Sequence, residues 1–221
     1  MRTLVIVFLA LALASCANPI NQHTAAKYHG WGSEAERAGD YTLAERNYER
    51  SLVNARLGHS PDASLSMAMY NLGRVKGYLC KYDEAEHLLA EALELEEKVT
   101  GPDSGITTMR LFELARLHFD RERYAASLPY FSRAIPVVRK LGVESSDPIG
   151  LADVLDQYAI ALGKTGHSAE GADRKREADA LRAKNHGKIA GFKPISYNQP
   201  CQTKLPNRSI PPTDQNQPAA N

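Results

Sequence analysis

The chain has 221 residues and a formal net charge of +1 at pH 7. Proteins that bind nucleic acid carry a strongly basic face, so we predict no nucleic-acid partner. Seven histidines occur with no two at i, i+4, and there is no Cys-x-x-Cys, His-Glu-x-x-His or glycine-rich phosphate loop. Because metal and nucleotide sites need such ligand patterns, we predict no metal, no cofactor, no catalytic residues and no enzymatic activity.

The N-terminus begins with Met1-Arg2 and continues with the apolar stretch of residues 4–14. A helix needs about 20 apolar residues to span a bilayer, and this stretch is shorter. It has the charged start and apolar core of a secretory signal. The stretch ends in Leu13-Ala14-Ser15-Cys16. An ordinary cleavable signal that contains a cysteine remains the alternative interpretation.

Small residues directly before a cysteine resemble the cleavage box of bacterial lipoproteins. The resemblance implies that residues 1–15 are a signal peptide removed before Cys16. Cys16 would then carry a diacylglycerol and a further acyl chain such as palmitate, and several chains anchor a protein stably. Ala17 follows where an aspartate would retain a Gram-negative lipoprotein in the inner membrane. The implied location is the bacterial cell envelope, lipid-anchored to the outer membrane and facing the periplasm.

Residues 16–24 are predicted to be the lipidated N-terminus and a short tether. Fully extended, Ala17 to Thr24 would reach about 28 Å. Such a tether would hold the following domain close to the membrane surface.

The middle of the chain repeats one pattern four times. Two marker positions recur with steps of 41, 42 and 44 residues. The first set is Gly32, Gly73, Ala115 and Ala159, and the second is Tyr41, Tyr82, Tyr124 and Ser168. A fixed period of this size indicates a stacked-repeat architecture, which usually presents an extended surface to a partner.

The second copy shows most clearly how one repeat folds. Met69, Leu72 and Gly73 share one helical face, on which Lys76 is a polar exception. A break at residues 80–82 separates this helix from a second one, which Gly101-Pro102 ends.

Two capping boxes and two prolines give further expectations for the second helices. Asp83 with Glu86, like Thr42 with Glu45 in the first copy, has the spacing of a capping box at a helix start. Proline inside a helix removes a backbone hydrogen bond. We therefore expect the second helix of copy three, which contains prolines 129 and 136, to be bent or shifted.

A second set of small residues, Ala44, Ala85, Ser127 and Gly171, recurs with the first. Small residues at these two places and an aromatic in the turn resemble the tetratricopeptide repeat. The long spacing and linkers such as residues 58–62 resemble the variant found in kinesin light chain. The resemblance implies an all-α, right-handed superhelical solenoid of about four tetratricopeptide-like helix pairs. A generic helical bundle is the alternative.

The predicted boundaries follow from this register. The repeat domain covers residues 25–186, with copies near 25–58, 66–100, 108–141 and 152–186. Residues 187–221, rich in proline, asparagine and glutamine, are predicted to be a disordered, flexible tail.

In arrays of this family, the first helices line a concave groove. The register places six residues there: Tyr70, Asn71, Arg74, Phe112, Glu113 and Arg116. The asparagine would hold a ligand's backbone amide, and the two arginines would pair with an acidic peptide through charge-assisted bonds. The alternative is that both arginines are solvated or bridged internally, for instance to Glu113.

We predict a membrane-anchored periplasmic scaffold or adaptor that binds a peptide or protein partner in a cell-envelope assembly. The alternative is a structural envelope subunit that self-associates without a peptide ligand. Whether Cys80 and Cys201 form a disulfide stays open, because an exported protein can keep one but the sequence does not give their separation.

Overall fold

The computed structural model describes residues 17–191 and 194–198. Nine helices lie within residues 17–191, with the following bounds. They are α1 (Pro19–Arg37), α2 (Tyr41–Leu57), α3 (Asp62–Tyr78), α4 (Tyr82–Thr100), α5 (Gly105–Asp120), α6 (Tyr124–Lys140), α7 (Val143–Ser146), α8 (Pro148–Lys164) and α9 (Ser168–Lys184).

The long helices form four antiparallel pairs, α1/α2, α3/α4, α5/α6 and α8/α9, and each pair packs on the next. The predicted solenoid of four helix pairs is confirmed. The pairs begin at residues 19, 62, 105 and 148, slightly earlier than predicted. None of the helices in the described part of the chain combines the length and apolar character needed to cross a bilayer.

The predicted small residues are points of close helix approach. A β-carbon at Gly32 would lie 2.6 Å from the ring of Tyr48, and one at Gly73 would lie 2.9 Å from Cγ of Leu89. Each glycine belongs to the first helix of a pair, and the large side chain comes from the second helix. The prediction that small residues mark the helix crossings is therefore confirmed.

The start of α1 corrects the predicted tether. Residues 19–24 are helical, and the side chain of Asn18 accepts hydrogen bonds from the N–H groups of Ile20 and Asn21. Pro19 follows at the first helical position, where its fixed φ and missing N–H are tolerated. The Asn18 N–H also donates to the Gly58 carbonyl at 3.0 Å. The prediction of a short tether is therefore wrong for residues 19–24, which belong to α1.

The capping box predicted at the start of α4 is also wrong. The N-cap is Lys81, which makes no side-chain capping bond, and Asp83 lies within the helix. Glu86 instead accepts a hydrogen bond from Arg123 at 2.6 Å. Its carboxylate thus links one helix pair to the next.

Glu45 likewise serves a purpose other than capping. Asp40 caps α2 by accepting from the Leu43 N–H at 2.9 Å. Glu45 is buried and accepts from Lys76 Nζ at 2.8 Å. Because a buried charge needs a partner, this pair explains why lysine is tolerated on an otherwise apolar face.

Helix α6 runs unbroken through Pro129 and Pro136. Both prolines lie on the exposed side of the helix, where carbonyls left without an N–H partner can bind water. Phe131 and Ile135 are buried on the opposite side. Their burial favours the helical path despite the cost of proline.

The core has two parts. The larger part spans the first three pairs and includes Tyr48, Val75, Leu89 and Leu114. The smaller part lies between the third and fourth pairs. In α9, only Gly171, Ala178 and Leu181 are buried, so its outer face is polar, as is usual for the last repeat of a stack.

Candidate peptide-binding groove

The structure places the six predicted groove residues on α3 and α5, the first helices of the second and third pairs. Asn71 is buried, with 7% of its surface exposed, so little of its amide is open to a ligand. Phe112 is half-buried and lines a cavity. That the six bind a partner stays a prediction.

Tyr70 joins the two helices. Its hydroxyl donates to Glu113 Oε2 at 3.4 Å, and the guanidinium of Arg110 stacks on its ring at 3.7 Å. Burial, with the nearby Glu113 carboxylate, raises the pKa of Tyr70 to about 12. The hydroxyl therefore keeps its proton at neutral pH.

Arg74 is paired within the protein. One guanidinium nitrogen lies 2.5 Å from Glu36 Oε1 on α1, and the other carboxylate oxygen of Glu36 accepts from the Tyr48 hydroxyl at 2.9 Å. An acidic ligand would have to compete with Glu36 for this arginine.

Arg116 is buried and donates to Glu113. This is the internal bridge that the sequence left open. Arg116 also donates to the main-chain carbonyl of Ile195, which belongs to the C-terminal part of the chain. We call residues 194–198 the docked segment.

Tyr197 of the docked segment is fully buried in the groove. Its ring packs against Tyr78 with centroids 5.0 Å apart, and the Arg116 guanidinium lies 4.4 Å from its centroid. Its hydroxyl donates to Glu113. Burial and this carboxylate keep the pKa of the hydroxyl well above its usual range, so it acts as a donor.

Gly77 provides the space for this ring. A β-carbon at Gly77 would overlap the aromatic ring of Tyr197. Glycine in the interior of a helix is destabilising, so its presence here needs a packing reason, and the ring supplies one. We call Gly77, Tyr78, Glu113 and Arg116 the tyrosine socket.

Asp120, at the C-terminal end of α5, holds the backbone of the docked segment. Its Oδ2 accepts from the Tyr197 N–H at 2.8 Å, and its main-chain carbonyl accepts from the Asn198 side-chain amide. Burial raises the pKa of Asp120, and the Tyr197 N–H partly opposes that rise. Together with the bond from Arg116 to Ile195, these contacts fix the segment by its main chain as well as its side chains.

The docked segment corrects one sequence prediction. The sequence predicts a flexible tail over residues 187–221, yet residues 194–198 lie along the groove with Tyr197 buried in it. The one large side chain that docks, Tyr197, lies within a polar, proline-rich stretch whose composition indicates flexibility. One signal in the sequence does point to a close contact here: Gly77, a helical glycine one turn after Gly73, is not required by the repeat pattern.

An open cavity of about 230 Å³ continues the groove beyond the docked segment. Its walls include Met109 and Phe112 of α5, Val154 and Gln157 of α8, and Pro194 of the segment itself. Met109 is 55% exposed. The groove thus offers an accessible apolar surface next to the filled socket.

Cys80, at the end of α3, is disulfide-bonded. Its partner lies outside the described residues, as do Cys201 and the predicted lipidation residue Cys16. Among residues 17–191 and 194–198, no cluster of three or more histidine, cysteine or acidic side chains has a geometry suited to a metal ion.

Three solved structures resemble the chain in fold. BtubC (BKLC) from P. vanneervenii has a TM-score of 0.68 and 18% identity, covering 78% of this chain and 68% of that one. A putative kinesin light chain from Podosopora anserina has a TM-score of 0.60 and 16% identity, covering 74% of this chain and 77% of that one. A MamA RS-1 double mutant has a TM-score of 0.57 and 16% identity, covering 73% of this chain and 76% of that one. At these identities the likeness establishes the fold alone.

A curated relative matches part of the chain. The clustered mitochondria protein homolog of Meyerozyma guilliermondii is 31% identical over 97 residues, which are 42% of this chain and 8% of that protein. This chain therefore spans less than a tenth of that relative's length.

A family model described as tetratricopeptide repeat matches residues 23–98 and 64–140. The two matches together cover more than half of the 221 residues, and they fall on the first three helix pairs of the solenoid. Repeats of this family are generally scaffolds for protein–protein interaction, and the match indicates no catalytic family. The chain belongs to the tetratricopeptide repeat family.

Proposed function

We propose that this protein is a lipid-anchored scaffold of the bacterial cell envelope, whose groove binds a peptide segment of a protein partner. The docking of residues 194–198 carries the proposal, because it shows the groove filled by a short stretch of polypeptide. The tetratricopeptide fold is generally a scaffold for protein–protein interaction. The envelope location and the peptide ligand go beyond that general role.

The groove has the two kinds of contact that peptide recognition requires. Arg116 and Asp120 bond to main-chain groups of the docked segment, and such bonds contribute affinity whatever the sequence. The tyrosine socket accepts one particular side chain. Main-chain bonds combined with side-chain pockets are a recurring means of peptide recognition.

The membrane part of the proposal rests on the N-terminal sequence. If Cys16 carries the lipid, only Ala17 and Asn18 separate it from α1, which begins at Pro19. Two or three residues reach about 10 Å at most. The solenoid would then lie against the membrane surface, which suits a partner that is itself bound to the outer membrane from the periplasmic side.

Photo-crosslinking in the native host tests the proposal. A photoreactive residue at Met109, which is exposed and lines the open part of the groove, should capture a single envelope protein identified by mass spectrometry. The matched control is Glu94, which is exposed on α4, a second helix, and should capture none. Crosslinks only between copies of the chain would favour the self-associating structural subunit instead.

A further inference from the structure

We propose that the tyrosine socket is a tyrosine-reading subsite, and that Tyr197 is its resident ligand, so that a partner must bring a tyrosine of its own to exchange with the docked segment. This inference rests on the proposed function, because it names the chemistry of the peptide that the groove takes.

The socket contacts every part of a tyrosine side chain. Gly77 and Tyr78 pack against the ring, the Arg116 guanidinium lies 4.4 Å from the ring centroid, and Glu113 accepts a hydrogen bond from the hydroxyl. No surface of Tyr197 remains exposed. A site built to bond a substrate hydroxyl discriminates against the analogue that lacks it, since the buried acceptor is then unpaired.

The carboxylate of Glu113 is held by hydrogen bonds from other residues of the repeats. It accepts hydrogen bonds from Tyr70 and from Arg116 in addition to Tyr197. These contacts hold it in place between α3 and α5. Groups that belong to the repeats therefore preorganise the socket, and the docked segment adds the tyrosine and the Ile195 carbonyl that accepts from Arg116.

Because the chain's own docked segment fills the socket, a partner must displace it in order to bind. Helix α9 ends at Lys184, so a short linker separates it from the docked segment at residue 194. Short linkers give effective concentrations in the millimolar range. A partner peptide must outcompete this intramolecular ligand, and the groove consequently rejects weak or transient binders.

A direct binding experiment tests the inference. The probe is a fluorescent peptide with the sequence of residues 193–200 (KPISYNQP), and the protein is the mature chain carrying Tyr197→Ala, under reducing conditions. We expect fluorescence anisotropy to show binding at least about tenfold tighter than to the wild-type chain, whose socket is filled. The same peptide with alanine in place of its tyrosine should bind at least about tenfold more weakly.

Gly77→Ala supplies the specific control. Added to Tyr197→Ala, it should abolish peptide binding, because its methyl group occupies the space of the ring. Gly163→Ala is the matched substitution, since a β-carbon at that helical glycine meets no atom within 4 Å. It should leave the affinity unchanged.

A second measurement uses the unaltered chain, in case the Tyr197→Ala variant does not fold. Under the same reducing conditions, excess peptide should accelerate hydrogen exchange of the Tyr197 amide, which Asp120 protects. Equal binding of the tyrosine and alanine peptides, or no effect on this exchange, would overturn the inference. If either result overturned the inference but position 109 still captured a partner, the proposed function would stand. If the peptide bound as expected but no partner were captured, the proposed function alone would be contradicted.

Discussion

Tyr197 lies against Gly77 at a point in α3 where any β-carbon would overlap its ring. The two residues are far apart in the chain, yet their contact joins the C-terminal segment to the second repeat. It follows that one small substitution in α3 can test how the segment is held.

Gly77→Ala should release the docked segment while leaving the solenoid folded. Alanine is favoured over glycine within a helix by up to about 1 kcal/mol, so α3 itself should not be weakened. Limited proteolysis with chymotrypsin measures the release, because cleavage after Tyr197 requires its exposure. We expect cleavage there to be faster in the variant than in the wild type.

The control for this proteolysis is Gly163→Ala, at a helical glycine with open space around it. It should be cleaved after Tyr197 at the wild-type rate. Faster cleavage in both variants would mean that the effect comes from helix propensity and not from the socket.

Gly73→Leu should destabilise the crossing of α3 and α4. The added side chain would meet Leu89, whose Cγ would lie 2.9 Å from even the first added carbon, and the Ala85 carbonyl at 3.3 Å. Overpacking of this kind costs about 1–3 kcal/mol, which urea unfolding would record as a lower midpoint with an unchanged slope. Gly30→Ala, where a β-carbon meets nothing within 4 Å, should be neutral or stabilising. A variant at position 73 that unfolds like the wild type would contradict the close approach.

The sequence predicted the repeats because their signal is periodic. Gly32 and Gly73 recur at a fixed step, and each faces a large side chain on the following helix. Local rules were less reliable, since the acidic residues with capping-box spacing are used between helices: Glu45 pairs with Lys76 and Glu86 with Arg123. Tertiary pairing outweighed the local capping preference.

The groove was only partly predictable for a related reason. Register alone places Glu113 and Arg116 on the concave side, but it does not identify the group that pairs with each charge. Their bonds to Tyr197 and Ile195 depend on a non-repetitive segment whose composition indicates flexibility. No periodicity links Gly77 to Tyr197, so only the three-dimensional structure reveals that contact.

His118 should make the protein less stable in mild acid. It is buried, stacked on Tyr130 with ring centroids 5.5 Å apart, and its Nδ1 has no hydrogen-bond partner among the described residues. Burial lowers its pKa in the folded state; Glu86, with an oxygen 3.9 Å from Nε2, opposes this, and Arg121 and Arg123 add to it.

The sign follows from proton binding. Below the unfolded-state pKa of about 6.5, the unfolded chain binds a proton at position 118 that the folded chain does not. The free energy of unfolding therefore falls as pH decreases from about 6.5 towards the lowered pKa. His29, whose pKa is also lowered by burial, acts in the same direction, whereas Asp120, with its raised pKa, acts in the opposite one.

Melting temperatures of the wild type and of His118→Phe, measured between pH 5.5 and 7.5, test this prediction. Phenylalanine keeps a ring against Tyr130 but cannot titrate. We expect the wild type to lose stability on acidification and the variant to lose less. Equal pH dependence in both proteins would show that His118 does not contribute.

Cys16→Ser should release the protein from the membrane. If the cysteine carries the lipid, the variant loses its acyl chains, and each buried methylene contributes about 0.8 kcal/mol to membrane binding. Labelling with radioactive palmitate in the native host, followed by fractionation, should show a labelled membrane protein for the wild type only. An unlabelled wild type would instead favour the ordinary cleavable signal.

Cys201 should be the disulfide partner of Cys80. Cys80 is disulfide-bonded and follows Gly77 by three residues, and the ring of Tyr197 lies on Gly77. Asn198, bonded to Asp120, precedes Cys201 by three residues, a span that reaches about 10 Å. Peptide mapping without reduction should therefore yield one crosslinked peptide containing residues 80 and 201, and reduction should speed chymotryptic cleavage after Tyr197. A crosslink from Cys80 to Cys16 would contradict both this pairing and the lipidation of Cys16.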